Sequence, residues 1–288
     1  MLPALLPLLI AAAPADISQG DFKEQHREWQ QERSTRLRAP DGWLTLVNLA
    51  WLEEGENKAG SAKGSTIELP KGAPKLLGTF VREGNTVRFT PAKGVEVTVD
   101  GKRFEGGAVQ TDADGAPDVL QHKTLSLIVI QRGERLGVRV RDTVAPTRTR
   151  FSGIPFFDPS LAWRKVATWE PAKEGETLQI PNVLGDASAA PLAGTAVFTH
   201  EGRTYRLQAT EEGDRLFFVF GDLTNRDTTY GAGRFLYTAL PEDGRLVLDF
   251  NRAYNPPCAF TAYATCPLPP KQNKLGLRIE AGEKRYGK

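Results

Sequence analysis

The chain has 288 residues, of which 40% are apolar and 25% charged, a balance that suits an ordinary globular protein with room for one large domain or two small ones. Its 37 basic and 35 acidic side chains mix throughout and leave a net charge of +2, which gives no electrostatic case for nucleic acid or an anionic membrane as a partner. With two cysteines and three histidines (His26, His122 and His200), the ligands for a metal are too few and too scattered, and neither a metal nor another cofactor is expected.

Residues 1–15 carry Leu, Ile and small side chains without a charge and end in Ala13-Pro14-Ala15, a small-x-small pattern that an export peptidase cuts. The run is too short and proline-broken to span a bilayer, and no later segment is a transmembrane candidate. A cleaved export signal with its cut after Ala15, and a periplasmic or secreted protein, are therefore expected. From Ile17 to about Arg38 the chain is charged and, after Gly20, free of Gly and Pro. Phe22, Trp29 and Leu37 recur on one helical stripe, so residues 16–42 read as an N-terminal amphipathic helix ended by Pro40-Asp41-Gly42. Trp43 to Leu52 is a short buried element of ambiguous type.

After Gly55, runs rich in Val, Ile, Phe and Thr alternate with turn residues. Thr79–Arg82 and Thr86–Thr90 form a hairpin about Glu83-Gly84-Asn85, and Thr124–Gln131 and Arg135–Arg141 flank Arg132-Gly133-Glu134. Val95–Val99 alternates as a strand does. Leu136, Val138 and Val140 face one way, Arg135, Arg139 and Arg141 the other. The pattern returns in Thr195–Thr199, Thr204–Ala209, Arg215–Phe220 and Arg245–Phe250. Residues 43–288 are thus mainly β, an antiparallel sandwich or barrel-like arrangement. Pro146, Pro155 and Pro159 punctuate the chain near 145–160, where the β-rich region reads either as two halves that meet or as one sandwich with a crossing loop.

Chemistry-bearing residues concentrate late. Cys258 and Cys266 sit in a loop braced by Pro256, Pro257, Pro267, Pro269 and Pro270. In an exported protein the pair invites a disulfide, with ~2.5 kcal/mol of unfolded-chain entropy removed by so small a loop. Buried thiols come next, and a metal ligand or a nucleophilic cysteine served by a folded-in base is the remaining alternative. The turn from Gly221 to Arg234 offers the amides of Gly231-Ala232-Gly233 beside Arg234 to an anion, or it is a wide hairpin whose charges pair internally. Asp142, Asp222, Asp249 and Glu283 fall at strand ends or in the final loop, where site residues gather. No Gly-x-Ser-x-Gly elbow supports serine catalysis, and Ser152-Gly153 reads as a turn. Trp43, Trp51, Trp163 and Trp169 suit a core; Tyr230, Tyr254 and Tyr263 lie inside the polar loops.

Asp41-Gly-Trp-Leu-Thr-Leu46, Thr229-Tyr-Gly-Ala-Gly-Arg-Phe-Leu236, Leu248-Asp-Phe-Asn-Arg-Ala-Tyr-Asn-Pro-Pro-Cys258, Cys266-Pro-Leu-Pro-Pro270 and Ala281-Gly-Glu283 together resemble one bacterial family, domain-of-unknown-function family 1684. The resemblance extends over nearly everything after the leader. It implies family membership and no activity.

Two functional readings follow. In the first, the protein binds a small polar or anionic molecule, or a glycan, at the 222–234 and 249–266 loops. Arg234 and Arg252 hold it, Asn251 and Asn255 orient it, and Tyr230, Tyr254 and Tyr263 wall it. In the second, Asp222, Asp249 or Glu283 supply acid and base to a hydrolase acting on a glycan or ester, which requires a buried carboxyl raised in pKa. A structural or interaction domain is the third possibility.

Overall fold

The computed structural model describes residues 17–287. The expected export signal, residues 1–15, lies outside them. No helix among the described residues is long and apolar enough to cross a membrane. The chain is mainly β, with antiparallel sheets and one N-terminal helix, Gln19–Leu37. It forms two compact units. The amino unit holds Arg33–Gly153 and Pro257–Thr265; of the described residues, the carboxy unit holds 17–32, Ile154–Pro256 and 266–287.

The helix begins at Ser18, whose hydroxyl accepts the Asp21 amide at 3.2 Å, and it places Asp21 in its first turn and Arg36 in its last, each complementing the helix dipole. It stops where Gly42 folds back, since a Cβ there would lie 2.3 Å from the Leu37 carbonyl oxygen. Its buried positions are Phe22, His26 and Leu37, with Trp29 half-buried. The expected stripe is present, but it passes through His26, whose ring packs 4.2 Å from that of Phe22.

In the amino unit, Trp43–Thr45 is a 3₁₀ turn that runs into the strand Leu46–Trp51, which resolves the ambiguous element. One sheet takes the order Leu46–Trp51, Arg135–Asp142, Leu125–Arg132, Leu120–His122, Thr98–Val99, Lys102–Arg103. The other runs Ile67–Glu68, Gly55–Gly60, Gly78–Glu83, Thr86–Pro91, Gly107–Ala108, with its parallel pairing at Ala59 and Ile67. Both predicted hairpins form about glycines with positive φ, Gly84 at 59° and Gly133 at 59°, a conformation that costs other residues. Val95–Val99 contributes only Thr98–Val99 as strand, because Val95 instead closes a turn onto Ala92. Leu136, Val138 and Val140 are fully buried beside Leu127, Val129, Phe80 and Phe89 in one core.

The carboxy unit is a six-stranded antiparallel sheet in the order Arg234–Ala239, Arg215–Phe220, Arg203–Glu212, Gly194–His200, Arg164–Pro171, Arg245–Asp249. Its first and last strands approach each other, so the sheet nearly closes into a barrel. A separate ribbon pairs Thr177–Pro181 with Ala187–Pro191. Ala196, Phe198, Leu207, Leu216, Phe218, Phe220, Leu248 and Phe250 fill the interior. Each large side chain there contributes ~1.5–3 kcal/mol by leaving water. The tail beyond Pro270 makes no strand yet is pinned to the end of the strand Arg215–Phe220: Gly221 donates to the Asn273 carbonyl at 2.9 Å and Leu275 to that of Gly221 at 2.8 Å. Ile279 and Ala281 thereby join the core.

Candidate functional site

Asp222 follows the strand Arg215–Phe220, and Arg234 opens the next strand. Both side chains are wholly buried, and Arg234 Nη2 donates to Asp222 Oδ2 at 2.7 Å. Arg234 Nη2 also reaches the Ile279 carbonyl at 2.8 Å, and Nη1 the Ala281 carbonyl. The guanidinium lies 5.4 Å over the ring of Phe220. The second oxygen of Asp222 accepts the Thr224 amide at 2.7 Å, the Thr224 hydroxyl and the Ile279 amide at 3.4 Å. Burial pulls the Arg234 guanidinium down from its ordinary value, and the charges of Asp222 and Glu283 oppose that.

The turn between them is closed. Asn225 accepts the Asp222 amide at 2.8 Å and donates to the Tyr230 carbonyl at 3.0 Å. At Gly233, φ 96°, a Cβ would stand 2.4 Å from Pro269 and 2.6 Å from the Phe220 carbonyl oxygen, and the amide donates to the Tyr230 carbonyl at 3.3 Å. Gly233 is therefore packed, while Gly231 and Ala232 are half-buried.

Glu283, also fully buried, is fixed by its amide to the Ala253 carbonyl at 2.9 Å and accepts the Asn255 amide at 2.7 Å. Asn255 Nδ2 donates to the Lys284 carbonyl at 2.8 Å. The 222–234 and 249–256 segments do meet, because Phe235 and Tyr254 exchange two backbone hydrogen bonds of 2.9 Å.

Asp249 belongs to a second cluster. Its Oδ2 lies 2.8 Å from His26 Nε2, and its Oδ1 accepts the amide and side chain of Asn251 at 3.1 and 2.8 Å. Arg252 Nε stands 3.9 Å away. Burial pushes this carboxyl up, but the bonds from His26 and Asn251 and the charges of His26 and Arg252 outweigh it and hold Asp249 below the usual carboxylate range. His26 Nδ1 is 2.6 Å from the Phe22 carbonyl oxygen, so both ring nitrogens are engaged by neighbouring chain. Asn251 completes the cluster by exchanging hydrogen bonds of 2.9 Å with the Ser160 backbone. His26 was legible in the sequence only as position i+4 from Phe22.

Three of the predicted residues, Tyr230, Arg252 and Tyr254, remain half-buried, with part of their surface in solvent. Tyr254 stacks on Tyr237, which sequence reading missed: the rings are 6.2 Å apart and 13° from parallel. Phe217 and Phe235 pack beneath, and Arg215 lies 4.4 Å over Tyr237. The Tyr237 hydroxyl donates to Glu212, and burial followed by that bond raises its pKa. The signal was available: on a strand whose Leu236 faces the core, Phe235 and Tyr237 must share the opposite face.

Tyr263 belongs to the amino unit and is 37% exposed. Cys258 and Cys266 form a disulfide. Within the segment they bracket, Phe260 lies 5.6 Å under Arg33 and the Thr265 hydroxyl accepts Arg132 Nε at 3.2 Å. No cluster of His, Cys, Asp or Glu among the described residues has the makings of a metal site. An open groove of about 590 Å³ in the amino unit is lined by Glu96, Gln121, His122 and Lys123 and contains none of the predicted site residues.

Comparison with known proteins adds a family and no chemistry. Residues 149–284 match the family described as "Protein of unknown function (DUF1684)"; Asp41–Leu46, read as part of the resemblance, lies outside that span. The chain is similar to an uncharacterised protein of Haloarcula marismortui, solved by solution NMR. Identity is 31% over 48% of this chain and 78% of that one, with a TM-score of 0.40. No curated protein matches. The expected resemblance holds at the level of the family: this chain belongs to DUF1684.

Proposed function

We propose that this is a non-catalytic binding protein whose ligand is a small polar or anionic molecule with a flat face, such as a sugar. The observation that carries the reading is the ledge of Tyr237 and Tyr254, near-parallel and half-buried, with the Arg215 guanidinium over it. Aromatic faces supply stacking and the guanidinium supplies polar contacts, the usual division of labour in a small-molecule site. Tyr230 and Arg252 belong to the reading as further half-exposed donors. Arg234, Asn251 and Asn255 act as braces that keep the loops rigid, since both Nη groups of Arg234, the side-chain amide of Asn251 and Nδ2 of Asn255 are committed to neighbouring chain.

Hydrolysis finds less support. The oxygens of Asp222 are engaged by buried donors, and Asp249 is held low rather than raised. A general acid needs a carboxyl that stays protonated near neutral pH and reaches its substrate. The disulfide supports the reading of an exported protein, because such bonds persist in oxidising compartments.

A thermal-shift screen of mono- and oligosaccharides and small carboxylates tests the reading, each hit being re-measured by calorimetry on Tyr254→Ala and Tyr237→Ala. A loss of about 1 kcal/mol, several-fold in Kd, is expected from each aromatic truncation. Hits that bind both variants as tightly as the wild type would sink it.

A further inference from the structure

The strand Arg135–Asp142 turns Val138 and Val140 into the core of the amino unit, so Arg139 and Arg141 occupy the opposite face. Arg139 is only 5% exposed, yet no carboxylate among the described residues forms an ion pair with it. Its Nε is buried without a hydrogen-bond partner, and so is that of the half-buried Arg141. What Arg139 has is the ring of Trp43, 5.2 Å below its guanidinium. The neighbouring Arg132 has spent its charge on Asp112 at 2.8 Å. Burial, then the charges of Arg132 and Arg141, pull the Arg139 guanidinium down to about 10, against a smaller pull from Asp112 the other way. It stays protonated at neutral pH. Directly across the sheet, Ser126 pairs with Arg141 and Ile128 with Arg139, so these side chains share the face and set a hydroxyl beside the two guanidinium groups.

A buried cation is ordinarily paired. Two adjacent guanidinium groups with buried unpartnered Nε–H groups, a hydroxyl and an aromatic wall, balanced only by the charges of Asp112 near Arg139 and Asp41 near Arg141 and by no ion pair, form the donor half of a site without a bonded acceptor. We infer that Arg139 and Arg141 bind an oxyanion, the carboxylate or phosphate group of a small molecule, on this face of the amino unit, with Ser126 as an additional donor. Planar guanidinium forks match both groups. This site is independent of the tyrosine ledge in the carboxy unit.

The test is thermal unfolding of the full chain in rising inorganic phosphate or acetate, each against sodium chloride of matched ionic strength. The wild type is expected to gain a saturable rise in Tm beyond the chloride control, by mass action on the folded state. Phosphate alone acting would mark a phosphoryl ligand, acetate alone a carboxylate. Arg139→Met and Arg141→Gln are expected to lose that rise, while Tyr254→Ala keeps it. In low-salt buffer without either anion, Arg139→Met is expected to melt no lower than the wild type, since an unneutralised buried charge has been removed. If Arg139→Met does not fold, Arg141→Gln carries the comparison. A wild type that responds to neither anion beyond chloride, or variants that respond as the wild type does, overturns the inference.

Discussion

At the scale of residues, the buried Asp222–Arg234 pair is the sharpest case for structure over chemistry. Removing one partner strands the other charge in the interior, so Asp222→Ala is expected to cost about 3–5 kcal/mol in urea-unfolding free energy. The double variant Asp222→Leu with Arg234→Met should recover much of that loss, because no charge is then left unpaired. A single variant as stable as the wild type would show that the pair does not brace the fold. Asp249 permits a pH prediction. Its folded pKa is depressed, so the stability it supplies is present above the unfolded value of about 3.9 and is lost as pH falls through the folded value. Replacing His26 by Gln removes the chief interaction that lowers it, so acid unfolding followed by circular dichroism should begin at higher pH. An unchanged acid limb would contradict the assignment.

At the scale of elements, what could be read in advance divides by range. Hairpins and their facing were legible because a two-residue period and a positive-φ glycine are local signals, as at Arg132–Arg135. The helix was legible from its charge run and Phe22–Leu37 stripe. Its tie to the end of the last strand was not, since His26 and Asp249 are 223 residues apart in the chain. Of the predicted site, the meeting of the two loops through Phe235 and Tyr254 is present, but the burial that turns Arg234 and Asn255 inward depends on the tail around Ile279–Lys284. That tail has no strand pattern to announce it. The disulfide segment also lends itself to a test. Cys258→Ser with Cys266→Ser is expected to lose about 2–3 kcal/mol under oxidising conditions, and reductant should abolish the difference between the two proteins. Equal stability before reduction would show that the bond constrains nothing.

At the scale of the whole molecule, the family match falls on residues 149–284, which form most of the carboxy unit, whereas the arginine face lies in the amino unit. The polar residues that made the late loops conspicuous in the sequence are spent mainly on holding the tail and loops in place, and the half-exposed tyrosines are what those braces present. The most direct measurement is native mass spectrometry of the protein exported to a bacterial periplasm, beside its Tyr254→Ala variant and the denatured form of each. A bound small molecule on the wild type, released by denaturation and depleted on the variant, is the predicted result. Wild type and variant carrying the same species in the same amount, or both bare, would contradict the claim that the tyrosine ledge is a binding site.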